Sequence, residues 1–227
     1  IDVFRPSTGA GSRCTPREVY LRRDLGFVSG LEAPLLDAVT EASDDRYRLA
    51  LLRGEFFEGP SAWYTALRSG QSDWVHAVLR VADRAKLSRG ARIELLAVSP
   101  GVSRSPLASL IAGHALAGLD LYFEVIKTLG LDAQAITSLL ATPNAEGKTP
   151  LDLAMAQGAE VTARFVQGVL SLDGNGFDCR TVLAVRGDGG RGSFGEAIKR
   201  GDTEAVGGFL RSVLANGLDE ERMRELL

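Results

Sequence analysis

Asn144-Ala145-Glu146-Gly147-Lys148-Thr149-Pro150-Leu151-Asp152-Leu153-Ala154, followed by Gly158, is the stretch that decides the fold, because weaker copies of it recur along the chain. With Pro150 as origin the matching positions are Ala62, Pro106 and Ser193, successive steps of 44, 44 and 43 residues. Two further landmarks keep this register. A glycine eight residues past the origin stands at Gly70, Gly158 and Gly201, where a residue closing a helix adopts positive φ. The second copy has His114 there, with Gly118 a turn later. A pair 33 and 34 residues past the origin reads Leu95-Leu96, Leu139-Leu140, Leu183-Ala184 and Leu226-Leu227. A unit that cannot bury its own apolar face must stack on a copy of itself, so the period predicts a repeat architecture.

Within each unit the apolar spacing is helical. Leu151, Ala154 and Met155 form one stripe, Val161, Phe165, Val166, Val169 and Leu170 a second, and Val182-Leu183 a third. Each unit therefore reads as three helices. The joints Ser99-Pro100-Gly101, Thr142-Pro143-Asn144 and Gly187-Asp188-Gly189-Gly190 are turn chemistry and would project from one edge of the stack.

Thr149-Pro150-Leu151-Asp152-Leu153-Ala154 with Gly158 resembles the ankyrin signature T-P-L-H-x-A followed by Gly, with Asp152 where the family prefers His. Ordinary ankyrin repeats run about 33 residues, so the resemblance implies an all-α, ankyrin-like helical solenoid with an added third helix per repeat. The expected units are 59–102, 103–146, 147–190 and 191–227, preceded by an N-terminal arm and helical cap over 1–58. Pro34 to Val39 and Tyr47 to Leu52 supply the cap helices, a degenerate repeat with Glu41, Asp44, Asp45, Arg46 and Arg48 on its polar face. The lengthened, alanine-rich form is similar to the ankyrin arrays of bacterial effectors delivered into host cells, among them the ADP-riboxanase effector family. That resemblance implies target recognition in a host cytoplasm, not catalysis.

Composition narrows the alternatives. A net charge of -3 and a pI near 5.5 provide no basic field for nucleic acid or an anionic membrane. Cys14 and Cys179, far apart, suit a reducing cytosol better than a cystine framework. No apolar run approaches the roughly 18 residues of a membrane span, and the start at Ile1 has no signal-peptide profile. The start at Ile and the stop on Leu226-Leu227 suggest an excised piece of a longer protein.

Chemistry-bearing motifs are sparse. Gly187 to Ser193 lacks the Gly-Lys-Ser/Thr ending of a phosphate loop, and Asp173 to Asp178 begins like a calcium loop but has Phe177 at the fifth position, so both read as turns. His76 and His114, the latter placed on an apolar helix, are read as packed or surface residues, and Cys179 as a structural thiol. No catalytic, cofactor or metal residues are assigned.

By the ankyrin resemblance, residues just before the first-helix glycine and in the projecting loops face a concave groove. These are Arg68, Ser69, Ala156, Gln157, Lys199 and Arg200, with loop residues Arg104, Asn144, Glu146, Lys148, Asp188 and Arg191. Trp63, Tyr64 and Trp74 form an aromatic cluster read first as core and second as a binding patch. The expected activity is noncatalytic recognition of a folded protein, such as a host protein, by a monomer. The alternatives are the substrate-recognition part of an enzyme whose catalytic domain lies outside the chain, and an oligomerisation scaffold.

Overall fold

The computed structural model describes residues 32–42, 44–55, 61–97, 105–174, 176–184 and 192–216. Within them the chain is all-α, with no strand and one isolated bridge between Gly174 and Phe177. The helices are α1 Glu32–Glu41, α2 Asp45–Arg53, α3 Ala62–Arg68, α4 Ser72–Arg84, α5 Arg89–Leu96, α6 Pro106–Ala112, α7 Leu116–Leu129, α8 Ala133–Ala141, α9 Pro150–Ala156, α10 Ala159–Leu170, α11 Arg180–Leu183, α12 Ser193–Arg200 and α13 Thr203–Ala215.

The four origin residues of the repeat, Ala62, Pro106, Pro150 and Ser193, are each the first residue of a helix. For the first three the preceding residue explains why, whereas Gly192 before Ser193 makes no side-chain cap. Ser61, Ser105 and Thr149 accept from the amides of Tyr64, Ala108 and Asp152, which satisfies an orphan donor of the first turn. Proline at Pro106 and Pro150 costs no hydrogen bond there. Asp152 completes a capping box: the Thr149 amide donates to its Oδ2 at 2.8 Å while the Asp152 amide donates to Thr149 Oγ1 at 3.1 Å. That reciprocal bond is what an aspartate contributes where the resemblance anticipated His.

Eight residues on, Gly70, His114, Gly158 and Gly201 all have positive φ, at 65°, 50°, 98° and 70°. His114 therefore lies in the turn between α6 and α7, not on a helix as its apolar neighbours suggested. Gly118 plays a different part, inside α7. A Cβ there would stand 2.6 Å from the Leu67 carbonyl oxygen and 2.8 Å from Leu110 Cδ2, so its missing side chain admits α3.

Most helices touch a counterpart one period away. α6, α9 and α12 make consecutive contacts, as do α1, α4, α7, α10 and α13, and α2 meets α5 as α8 meets α11. Polar bonds follow the same interval. Thr149 Oγ1–Ser193 Oγ (3.4 Å), Thr137 Oγ1–Thr181 Oγ1 (3.3 Å) and Arg164 Nη1–Asp120 Oδ2 (3.2 Å) each join residues 44 apart. Ser88–Asp45 and Arg89–Asp132 join residues 43 apart. The N-caps of α2, α5 and α8, Asp44, Ser88 and Asp132, continue the register into the segment assigned to the cap.

One continuous core runs through these layers, from Leu35 and Val39 to Phe209 and Val213. Phe123 shows how layers lock: its ring lies 5.9 Å from Phe165 and fills the space left open at Gly168. The last described layer differs in one respect. Leu67, Ile111 and Met155 occupy one register position and are all fully buried, whereas Ile198 at that position is 56% exposed. Met155→Ala should cost about 3 kcal/mol and Ile198→Ala under about 1 kcal/mol in urea unfolding. Equal costs would show that the two do not share a packing role.

Candidate functional site

Among the described residues, the surface that combines alignment, exposure and unpaired charge is the row formed by the last turns of α3, α6, α9 and α12. Contacts of α6 with α9 and of α9 with α12 align these helices, each seven or eight residues long, and Arg68 at the end of α3 reaches Gly113 at the end of α6. Arg68 and Ser69 end α3, Ala156 and Gln157 end α9, and Lys199 and Arg200 end α12. All are exposed except Gln157, which is half-buried. The Arg68 guanidinium lies beside Gly113: its Nε is 3.8 Å from where a Cβ on Gly113 would be. His114 Nε2 and Gln157 Oε1 are 3.0 Å or less apart, at 2.6 Å, which ties the second layer to the third.

The structure thus extends the row beyond the expected residues. Ala112, Gly113 and His114, all exposed, occupy the second layer. The signal was present in the offset from Pro106, but His at the glycine position masked it. Ser69 has a local duty as well, its hydroxyl donating to the Thr65 carbonyl at 2.8 Å.

The loop residues divide. Arg104, Asp188 and Arg191 lie outside the described residues. Asn144 is a loop-builder: its Oδ1 accepts from the amides of Glu146 (2.9 Å) and Lys148 (3.0 Å), and its own amide donates to the Lys148 carbonyl. Glu146 and Lys148 are exposed and paired with each other at 3.2 Å. They are held by the turn, and Asn144 is committed to it.

The aromatic cluster follows the first of its two readings, core, and not the second, a binding patch. Trp63 and Trp74 are 1% and 5% exposed, with ring centroids 6.3 Å apart, so neither offers a surface to a partner. Tyr64 is half-buried against the same core. Their cause is packing: Trp63 lies on the inner face of α3 and Trp74 on that of α4, where the two helices meet.

Ionisable side chains elsewhere serve the contacts between layers. Arg80 and Arg84 pair with Glu32, His76 with Glu124, Arg164 with Asp120 and Arg89 with Asp132. The Arg80 hydrogen bond holds the Glu32 carboxyl below the usual carboxylate range, and the Ala135 amide does the same for Asp132, the N-cap of α8. Burial raises the Tyr122 hydroxyl well above its ordinary value and lowers Arg53, whose guanidinium donates to the Glu94 carbonyl. These shifts have structural causes in burial and hydrogen bonding.

Asp173, Asp178 and Cys179 bring three potential metal-ligand atoms within 4.8 Å of one another. Their bonds have other uses. Asp173 Oδ1 accepts from the Cys179 amide at 3.1 Å, Asp178 grips Arg180 in a bond of 2.6 Å, and Cys179 is buried at the start of α11. Gly174 and Phe177 exchange two backbone bonds, the tight turn expected there. No described helix is long and apolar enough to cross a membrane. Comparison of the chain with protein-family models, with curated proteins and with solved structures finds no match in any of the three.

Proposed function

We propose that this chain is an ankyrin-like helical solenoid with a third helix in each repeat, and that it works as a noncatalytic protein-recognition module. The observation that carries the reading is the row of exposed first-helix ends, Arg68 through Arg200, built on layers that are rigidly joined by a continuous core and by bonds at one-repeat intervals. A surface ordered before binding avoids much of the side-chain and loop ordering cost of association. The extra helices join both rows, α2 packing on α1 and α3, α8 on α9 and α11 on α10.

On this reading the partner is a folded protein, such as one of a host cytoplasm, that meets the row and the neighbouring turn at Glu146 and Lys148. Capture from eukaryotic lysate on the immobilised chain, compared with the Arg68→Glu/Lys199→Glu/Arg200→Glu variant, tests the surface. Specifically retained proteins should fall roughly tenfold or more with the circular dichroism unchanged. Retention equal to that of the parent chain would remove this row from the function.

A further inference from the structure

The cations of this molecule are not used alike. On the second- and third-helix rows four of them close ion pairs between layers: Arg80 and Arg84 with Glu32, Arg164 with Asp120, Arg89 with Asp132. On the first-helix row Arg68, Lys199 and Arg200 are exposed and form no ion pair among the described residues. Among the carboxylates nearest them in sequence, Asp202 caps α13 by accepting from the Ala205 amide, and Asp73, Glu196 and Glu204 stand in the first turns of α4, α12 and α13, where the positive helix ends favour them. Asp152 is occupied by its cap.

The positive charge is also unevenly placed. It stands at the two ends of the row, on α3 and α12, while the middle is Ala112, Gly113, His114, Ala156 and Gln157. Ala112, Gly113 and Ala156 leave room for another backbone to lie close, beside the bonded pair His114 and Gln157. Three steps between adjacent helices, at 8–10 Å each, separate the two charged ends by roughly 24–30 Å. An extended chain rising about 3.4 Å per residue covers that span in about eight residues.

Resting on the recognition reading above, we infer that the row binds an extended acidic segment of its partner, with carboxylates at both ends and small, uncharged residues between. The end charges pair with Arg68 and with Lys199 and Arg200. The middle lies on the shelf of Ala112, Gly113 and Ala156, where small residues let the two backbones approach.

Fluorescence anisotropy with two labelled peptides tests this. One carries three glutamates at each end of about five Gly/Ser residues, a spacing set by the rise per residue; the other has the same composition with all glutamates in the middle. The first should bind about tenfold more tightly and weaken between about 50 and 200 mM salt. Arg68→Glu with Lys199→Glu and Arg200→Glu should abolish that binding, and Ala156→Trp should reduce it about tenfold by filling the shelf. Lys127→Glu, exposed on α7 and off the row, should leave it unchanged. Equal binding of the two peptides, no binding at millimolar concentration, or indifference to these variants would overturn the inference. If the peptides fail while lysate capture still depends on Arg68, Lys199 and Arg200, recognition by the row survives and only the acidic segment falls.

Discussion

Gly118→Ala is expected to destabilise the protein by about 3 kcal/mol, a large loss for the addition of one methyl group. The methyl has no free space: its carbon would sit 2.6 Å from the Leu67 carbonyl oxygen, 2.8 Å from Leu110 Cδ2 and 3.3 Å from Arg68 Cα. Two of these atoms belong to the backbone of α3, which can yield only if the layers separate. In a chain of this size such a loss lowers the melting temperature by about 6–12 °C. The comparison is Gly195→Ala on α12, where a Cβ meets nothing within 4 Å and the residue is exposed. That change should raise stability by about 0.5–1 kcal/mol, because alanine loses less backbone entropy in a helix. Thermal unfolding followed at 222 nm checks both. Similar shifts for the two variants would mean that α3 and α7 do not approach as described.

Trp63→Ala should cost about 3–5 kcal/mol, the range for removing a buried aromatic and leaving a cavity. The side chain is 1% exposed and packs against Trp74. Its indole Nε1 has no hydrogen-bond partner, so the polar atom adds no stabilisation of its own. Trp63→Phe should therefore cost much less, under about 1.5 kcal/mol, since it keeps most of the apolar volume and removes an unpaired donor. Urea unfolding of both variants separates the two roles of the residue. If Trp63→Ala retained full stability and lost only partner capture, the side chain would be a surface anchor and its placement in the core would be wrong.

Helix starts were the most legible part of the molecule. Ser105-Pro106 and Thr149-Pro150 announce a cap and a first turn through local chemistry alone, and the same offset located the starts at Ala62 and Ser193, where no proline marks them. Local rules were less reliable at His114. A histidine amid apolar neighbours reads as helical, yet the turn between α6 and α7 forces it to a φ of 50°. The short α11, one turn where its counterparts have two or more, also escaped a pattern based on Val182-Leu183.

The candidate row was partly legible for the same reason. Arg68, Gln157 and Lys199 share an offset from the repeat origin, or lie within one residue of it, so periodicity alone aligns them. Nothing local distinguishes the charge of Arg68 and Lys199 from that of Arg89 or Arg164. All are cations on helices; the difference is whether the next layer sets a carboxylate opposite, as Asp132 and Asp120 are set.

By itself, then, the sequence determined the period, the helical content and the position of each first-helix start, because caps, prolines and apolar stripes act over a few residues. Only the tertiary structure decided that Trp63 and Trp74 are core, that Gly118, Gly168 and Gly208 are points of close approach, and that Arg68, Lys199 and Arg200 stand unpaired. Those properties depend on which side chains face each other across layers some 44 residues apart, as in the bond between Thr149 and Ser193. Burial and pairing are relations between layers, and no local rule specifies them.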